Sequence, residues 1–392
     1  MNKPLEMYQK MERSIDQLQA SPETQGFLLN VAKHAAFREA IKHDEVMKPN
    51  QWEFDAEQEL FGIRNNQGFL SLKPQKKFIS DMRQLTHIHY TVWDWHSQNN
   101  KSNLESLVNG ALQSKTLNQN GGRLFRTYLN GEDRIARSIH SPSYGLIDDL
   151  YLIDHTLEAL AESGRLVKLA ETPGINESVT HLKFIFPDMK SRANELLRKY
   201  KPVGGDIGDR SVAVGFMLGN SEVGSAAASV YPLVQVLLCT NGMVGTRSGQ
   251  AFKKSHRGSK RDLGFQWSHR TREAGSKFAA SQVRDRLEAL ASPGYLSSII
   301  EKWGGLSEAE IVKPTATVMD IGQKFLELSE ENATTVSEHF LKGQDPSAFG
   351  IIQAVTSFAR DESLSPEKRF DLQGKAWDMT FNHDWLKKSY IA

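Results

Sequence analysis

Residues 210–220 read RSVAVGFMLGN and residues 226–243 read AAASVYPLVQVLLCTNGM. Each is a short apolar run rich in Val and Leu and closed by Gly and Asn, which predicts a β-strand, although the Ala run at 226–228 also allows a helical start to the second. Upstream, RLVKLAETPGINESVTHLKFIFPD (165–188) reads as two strands around Pro173-Gly174, and FRTYLNGEDRIARSIHS (125–141) as a hairpin around Asn130-Gly131. Between them LIDDLYLIDHTLEALAESG (146–164) has a helical pattern closed by Gly164. The centre of the chain is therefore rich in strands.

The flanks read differently. Apolar positions at Leu5, Tyr8, Met11, Ile15 and Leu18 keep a helical period, and a second helical stretch covers about 24–42. Residues 51–72 look extended, with a turn marked by Asn65, Asn66 and Gly68. Helices are expected at about 74–86, 90–98 and 102–114, the last opened by a capping box from Ser102 to Glu105. From about Arg270 the pattern is helical again, with one candidate running from Glu273 to Leu290. The expected class is α+β: a mixed, mainly antiparallel β centre flanked by N- and C-terminal helices. We expect an N-terminal helical extension over 1–60, the α+β domain over 61–380 and a tail over 381–392.

The 392 residues are 39% hydrophobic and 24% charged, as in a globular protein with a sizeable core. No run reaches the roughly 18 to 20 apolar residues of a membrane span, and the start is too polar for a signal peptide, so we expect a cytoplasmic protein with no membrane partner. One cysteine, Cys239, rules out an internal disulfide and a multi-cysteine zinc site; its apolar setting suits a buried thiol. The 48 Lys and Arg nearly cancel the 47 Asp and Glu, but unevenly. Residues 251–277 hold eight Lys and Arg against Asp262 and Glu273, whereas residues 301–392 hold 15 acids against 10 bases.

Several motifs resemble a family encoded by phages, plasmids and mobile islands, whose shared domain of unknown function carries the number nine-three-two. RLFRTYLNGEDRIARSIHSPSYGLIDDLYLI is similar to its arginine-turn-arginine-serine-tyrosine block on Arg126, Arg137, Ser138, Tyr144 and Asp148. Gly208, Asp209, Asn220, Ser221, Glu222 and Gly224 resemble its Gly-Asp strand followed by Asn-Ser-Glu-x-Gly. Cys-Thr-Asn-Gly-Met at 239–243 resembles its signature, and Ala354, Val355 and Thr356 its C-terminal helix block. The resemblance covers roughly 65–380 and implies a mobile-element setting among replication and recombination genes; it carries no mechanism.

Candidate binding residues come from the charge map. Lys253, Lys254, His256, Arg257, Lys260, Arg261 and Arg270 follow a glycine-spaced stretch and are interleaved with Phe252, Phe265 and Trp267. Cations for phosphates and rings for bases are what single-stranded nucleic acid requires. The glycines lack Walker-loop spacing, so nucleotide hydrolysis is not indicated. A solvated loop is the plain alternative. Arg123, Arg126, Arg134 and Arg137 bracket the Asn130-Gly131 turn and are expected to form a second basic strip with Tyr128 and Tyr144. Asn241-Gly242 is expected to form a turn.

Asn220 and Glu222 belong to a strand-end turn, and with Asp209 Glu222 could hold Mg²⁺ for a metal-dependent nuclease or phosphotransferase. Strand-end turns also use such residues simply to close their own hydrogen bonds. His87, His89 and His96 would share a face as metal ligands only on a strand; the family resemblance makes the segment helical, with Trp93 and Trp95 as packing residues. The leading expectation is a nucleic-acid-binding accessory protein, preferring single-stranded DNA, acting in replication or recombination, with strand annealing one form of it. It needs no metal or cofactor and no catalytic centre, and suits a homo-oligomer. A self-assembling structural or counter-defence protein is the third class.

Overall fold

Asn130 and Asp133 face each other across a two-residue turn, with Gly131 at φ +61° between them. Only a residue without Cβ takes that conformation at no cost, so the hairpin of β6 (Arg123–Asn130) and β7 (Asp133–His140) is set locally. The computed structural model describes residues 3–65, 68–119, 122–142, 144–170, 173–192, 211–237, 241–245, 252–255, 274, 278, 281–282, 285, 293–361 and 363–392. Among the described residues no helix is long and apolar enough to cross a membrane.

The hairpin lies inside a six-stranded sheet of order β2-β6-β7-β5-β4-β3, made with β2 (Lys42–Met47), β3 (Trp52–Asp55), β4 (Leu60–Asn65) and β5 (Gly68–Pro74). One face is covered by α3 (Lys76–Thr86), α4 (Tyr90–Asn99) and α5 (Lys101–Gln113), with the short α6 (Lys115–Gln119) beside them. Trp52 stacks on Phe125 at 3.7 Å there, and Phe61 and Phe78 pack edge to face.

A second sheet carries β1 (Gln19–Ala20), β8 (Leu166–Leu169), β9 (Gly174–Ile175), β10 (Thr180–Arg192), β11 (Ser211–Asn220), β12 (Ala228–Val236), β13 (Asn241–Val244) and β14 (Phe252–Lys254). All residues of β11 and β12 are buried, which explains their nearly unbroken apolar sequence. On the even-numbered side of β11, Phe216 and Leu218 join a core with α1 (Lys3–Gln17), α2 (Pro22–Ile41) and α7 (Asp149–Ser163). Val212 and Val214 join another with α8 (Pro293–Glu308), α9 (Pro314–Lys324), α10 (Glu330–Gly343), α11 (Ala348–Phe358) and α12 (Pro366–Phe381). The class is α+β, mainly antiparallel, with β1·β8 and β5·β7 the parallel pairs.

Several local readings need correction. The first 60 residues are more than a helical extension: α1 and α2 enter a core, and β2 and β3 are edge strands of the first sheet. The C-terminal residues are tied in too, since Ile391 bridges Ile311 and Trp385 is buried. The cap of α5 is Asn100, whose Oδ1 accepts the Asn103 N–H, two residues before the expected Ser102. Asn241-Gly242 opens β13, with Gly242 opposite Gln235, so the chain is extended there rather than turning. Ala228 begins a strand, not a helix. The helix expected over 273–290 lies mostly outside the described residues.

Candidate functional site

β6 presents Arg126 on the face opposite Phe125, away from the aromatic core. Its guanidinium is fully buried and bonded on all sides. Nε and Nη2 donate to the Asp44 carboxylate at 3.0–3.3 Å, Nη2 donates to Asp148 Oδ1 at 2.7 Å, and Nη1 donates to the Glu222 carbonyl. The register makes this contact, because Asp44 of β2 lies directly opposite Arg126. Lys42, two residues earlier on the same face of β2, donates to Asp148 Oδ2 at 2.7 Å and to Glu39 of α2 at 2.7 Å.

Glu222 is the second hub. Its Oε2 accepts from Arg137 Nη2 at 2.9 Å and from the Tyr128 hydroxyl at 3.3 Å, while its Oε1 accepts the Asp149 N–H at 3.1 Å. That last bond satisfies a first-turn donor of α7 with a carboxylate from a distant turn, and the helix dipole favours the negative charge. Asn220 Nδ2 fixes the same helix start by donating to the Ile147 carbonyl at 2.9 Å and to Asp149 Oδ1 at 2.8 Å. Arg137 lies 4.0 Å over the Tyr128 ring. Gly224, at φ +78°, lets the turn press against His140 and Tyr144, whose rings stack at 3.8 Å.

Crowding so many charges splits the carboxyl groups. Burial and the nearby Glu222 charge raise Asp149 to about 6, and burial and the Asp148 charge raise Glu39 to about 7. For Glu222, burial opposes ionisation but Arg137, Arg126 and Arg38 outweigh it and hold the group at about 2. Burial is likewise overcome at Asp148 by Lys42 and Arg126, which keep it far below the usual carboxylate range. Burial pushes the Tyr128 hydroxyl up, helped by Glu222. A crevice too narrow to admit a water molecule lies between Arg38, Arg137, Asp149, Thr180 and Glu222. Arg137 Nε and Nη1 and Asn220 Oδ1 are buried without hydrogen-bond partners. The arrangement joins the two sheets through charge pairs.

The placement of the sequence candidates divides them. Asn220, Glu222, Arg126 and Arg137, with Ser138, Tyr144 and Asp148, come together in or beside this cluster. Arg126 and Arg137 are consequently not part of an outer strip: their charges are taken up by protein carboxylates and Tyr128 lies between sheets rather than on a surface. Arg134 is exposed near the hairpin turn and Arg123 is half-buried at the far end of β6. Glu222 is committed to Arg137 and to α7, and Asp209, its partner in the metal site considered, lies outside the described residues. Among the described residues no group of three His, Cys, Asp or Glu is arranged to hold a metal ion.

His87 and His89 flank a turn instead of sharing a helix: His87 closes α3 at φ +57°, and His89 Nδ1 accepts the Thr91 N–H as the cap of α4. Trp93 is buried as expected, but Trp95 is 56% exposed. Of the basic segment, Lys253 is exposed on β14, and Lys254 ends that strand. His256, Arg257, Lys260, Arg261, Trp267 and Arg270 lie outside the described residues, as do Asp209 and Cys239. Arg38, Lys42, Asp44 and Asp149 were not singled out from sequence. The alternation of Lys42 and Asp44 within a strand is the one signal that could have found two of them, since one face of β2 thereby carries charge inward. Comparison with protein-family models, curated proteins and solved structures finds no match to this chain.

Proposed function

We propose that this chain is a nucleic-acid-binding accessory protein, cytoplasmic and self-associating, that engages single-stranded DNA during replication or recombination of a mobile element, including strand annealing. The observation that carries the reading is the setting of β14. It pairs with β12 through Ala228–Lys254, Ser229–Lys253 and Val230–Phe252, on the side of β12 also used by β13, and Lys253 is exposed there. The stretch holding eight Lys and Arg therefore begins on a sheet strand, beside the start of β12, with a cation facing solvent. A rooted strand limits the entropy lost when the following residues grip a polyanion.

The test is fluorescence anisotropy with a labelled single-stranded oligonucleotide over a salt series. Affinity should fall with salt, with a log–log slope of several units, because each neutralised phosphate contributes about 0.7 to the slope for a single strand. Replacing Lys253, Lys254, Lys260 and Arg261 together by Ala should weaken binding and flatten the slope. Salt-independent binding, or none at low salt, overturns the reading.

A further inference from the structure

The residues just before the hairpin strand open a second site. Where α3 and α5 end beside α6 and the first residue of β6, a cleft of about 250 Å³, open to solvent, is lined by Leu85, His87, Ser114, Thr116, Leu117 and Arg123 among others. Among the described residues no Asp or Glu lines it. Arg123 donates to the Gly122 carbonyl at 3.3 Å and makes no ion pair with a described carboxylate, so most of its guanidinium is available to an anion. Leu85 and Leu117 supply apolar wall, and the exposed His87 imidazole is held at the rim by its left-handed backbone. Ser114 Oγ accepts the Leu117 N–H at 3.3 Å, which leaves its hydroxyl proton to donate.

A cation without a counterion, apolar walls, an imidazole and the Ser114 hydroxyl fit a flat heterocycle carrying a phosphate. We propose that this cleft binds one nucleotide, with its phosphate on Arg123 and its base between His87 and the Leu85–Leu117 wall.

The inference deepens the nucleic-acid reading but rests on other residues.

The experiment compares binding of dAMP, deoxyadenosine and inorganic phosphate by calorimetry. It uses the whole protein and its Arg123→Ala and Arg123→Lys variants, with melting temperature as the folding control. We expect dAMP to bind at least tenfold more tightly than either fragment, Arg123→Ala to lose that advantage with unchanged melting, and Arg123→Lys to recover part of it. Equal affinity for dAMP and deoxyadenosine, or full dAMP affinity in Arg123→Ala, overturns the proposal. Anisotropy with an oligonucleotide separates the two readings. A strand that binds with the same affinity to wild type and Arg123→Ala, with no dAMP binding, removes the cleft and keeps the basic segment; dAMP binding that needs Arg123, with no strand binding, keeps the cleft for a free nucleotide and removes the strand reading. Loss of both strand and dAMP affinity in Arg123→Ala supports a nucleotide within a strand.

Discussion

Arg123 and Arg126 lie three residues apart on β6, yet the fold gives the same side chain opposite settings. Arg126 is fully buried between Asp44, Asp148 and the Glu222 carbonyl; Arg123 is half-buried at a cleft with no acidic wall. Alternation along the strand does this, because positions 123 and 125 face the aromatic core and its covering helices, whereas 124 and 126 face the other sheet. A cationic sequence strip therefore splits into a structural half and an available half. What separates them is the partner each face provides, not the charge itself.

Removing one partner of a buried charge cluster should give the largest effect. Arg126→Met strands Asp44 and Asp148 without their shared cation, and breaking such a pair costs about 3–5 kcal/mol. Arg123→Met should change stability by no more than about 0.5 kcal/mol. Urea denaturation of the two variants measures the contrast, and equal destabilisation would break the comparison outright.

A second contrast concerns glycine. A Cβ on Gly215 would sit 1.9 Å from the Phe184 carbonyl oxygen, so Gly215→Ala must push β10 and β11 apart and should cost about 1–3 kcal/mol. Gly242, the glycine that the sequence picks out, would bring a Cβ only to 3.3 Å from Leu233 Cδ1, the mobile end of a side chain. Gly242→Ala should therefore be much milder by thermal melting. Reversal of that order would mean that the strand pairing of β13 is misread.

These cases show what the sequence makes legible. The hairpin, α7 with its Gly164 cap and the apolar strands β11 and β12 follow from local chemistry, and each was readable. Asn220, Glu222, Arg126 and Arg137 were also readable as motif residues, but their meeting was not, because it depends on pairs about 70 to 100 positions apart in sequence. Arg126 looks the same as Arg123 until β2 is known to bring Asp44 alongside it. Asn241-Gly242 misleads for the same reason: its turn preference is local, and the pairing with β12 overrides it.

The buried carboxyl groups give the cluster a pH signature absent from the Arg123 end. Glu39 and Asp149 have folded values raised to about 7 and about 6, so the folded state keeps protons that the unfolded chain releases near pH 4. Their contribution is fully present below pH 4 and is lost as pH rises through 6 to 7. Glu222 and Asp148 behave in the opposite sense, contributing above pH 4 and losing that contribution in stronger acid. The Glu39→Gln variant mimics the protonated group, so its stability relative to wild type should rise between pH 4 and pH 7 and then level off. A difference that stays flat over that range would mean that Glu39 is ionised throughout.

The smallest expected effect on folding belongs to the opening of the basic segment. Lys253 stands exposed on β14, so replacing it by Ala removes a charge without opening a cavity. Surface changes of this kind stay within about 0.5 kcal/mol, and the melting temperature should barely move. Binding should respond instead. If Lys253 meets a phosphate of a single strand, the log–log salt slope should fall by about 0.7. A slope that stays constant while affinity is also unchanged would make β14 a plain edge strand, and the nucleic-acid reading would then have to rest on the Arg123 end of β6.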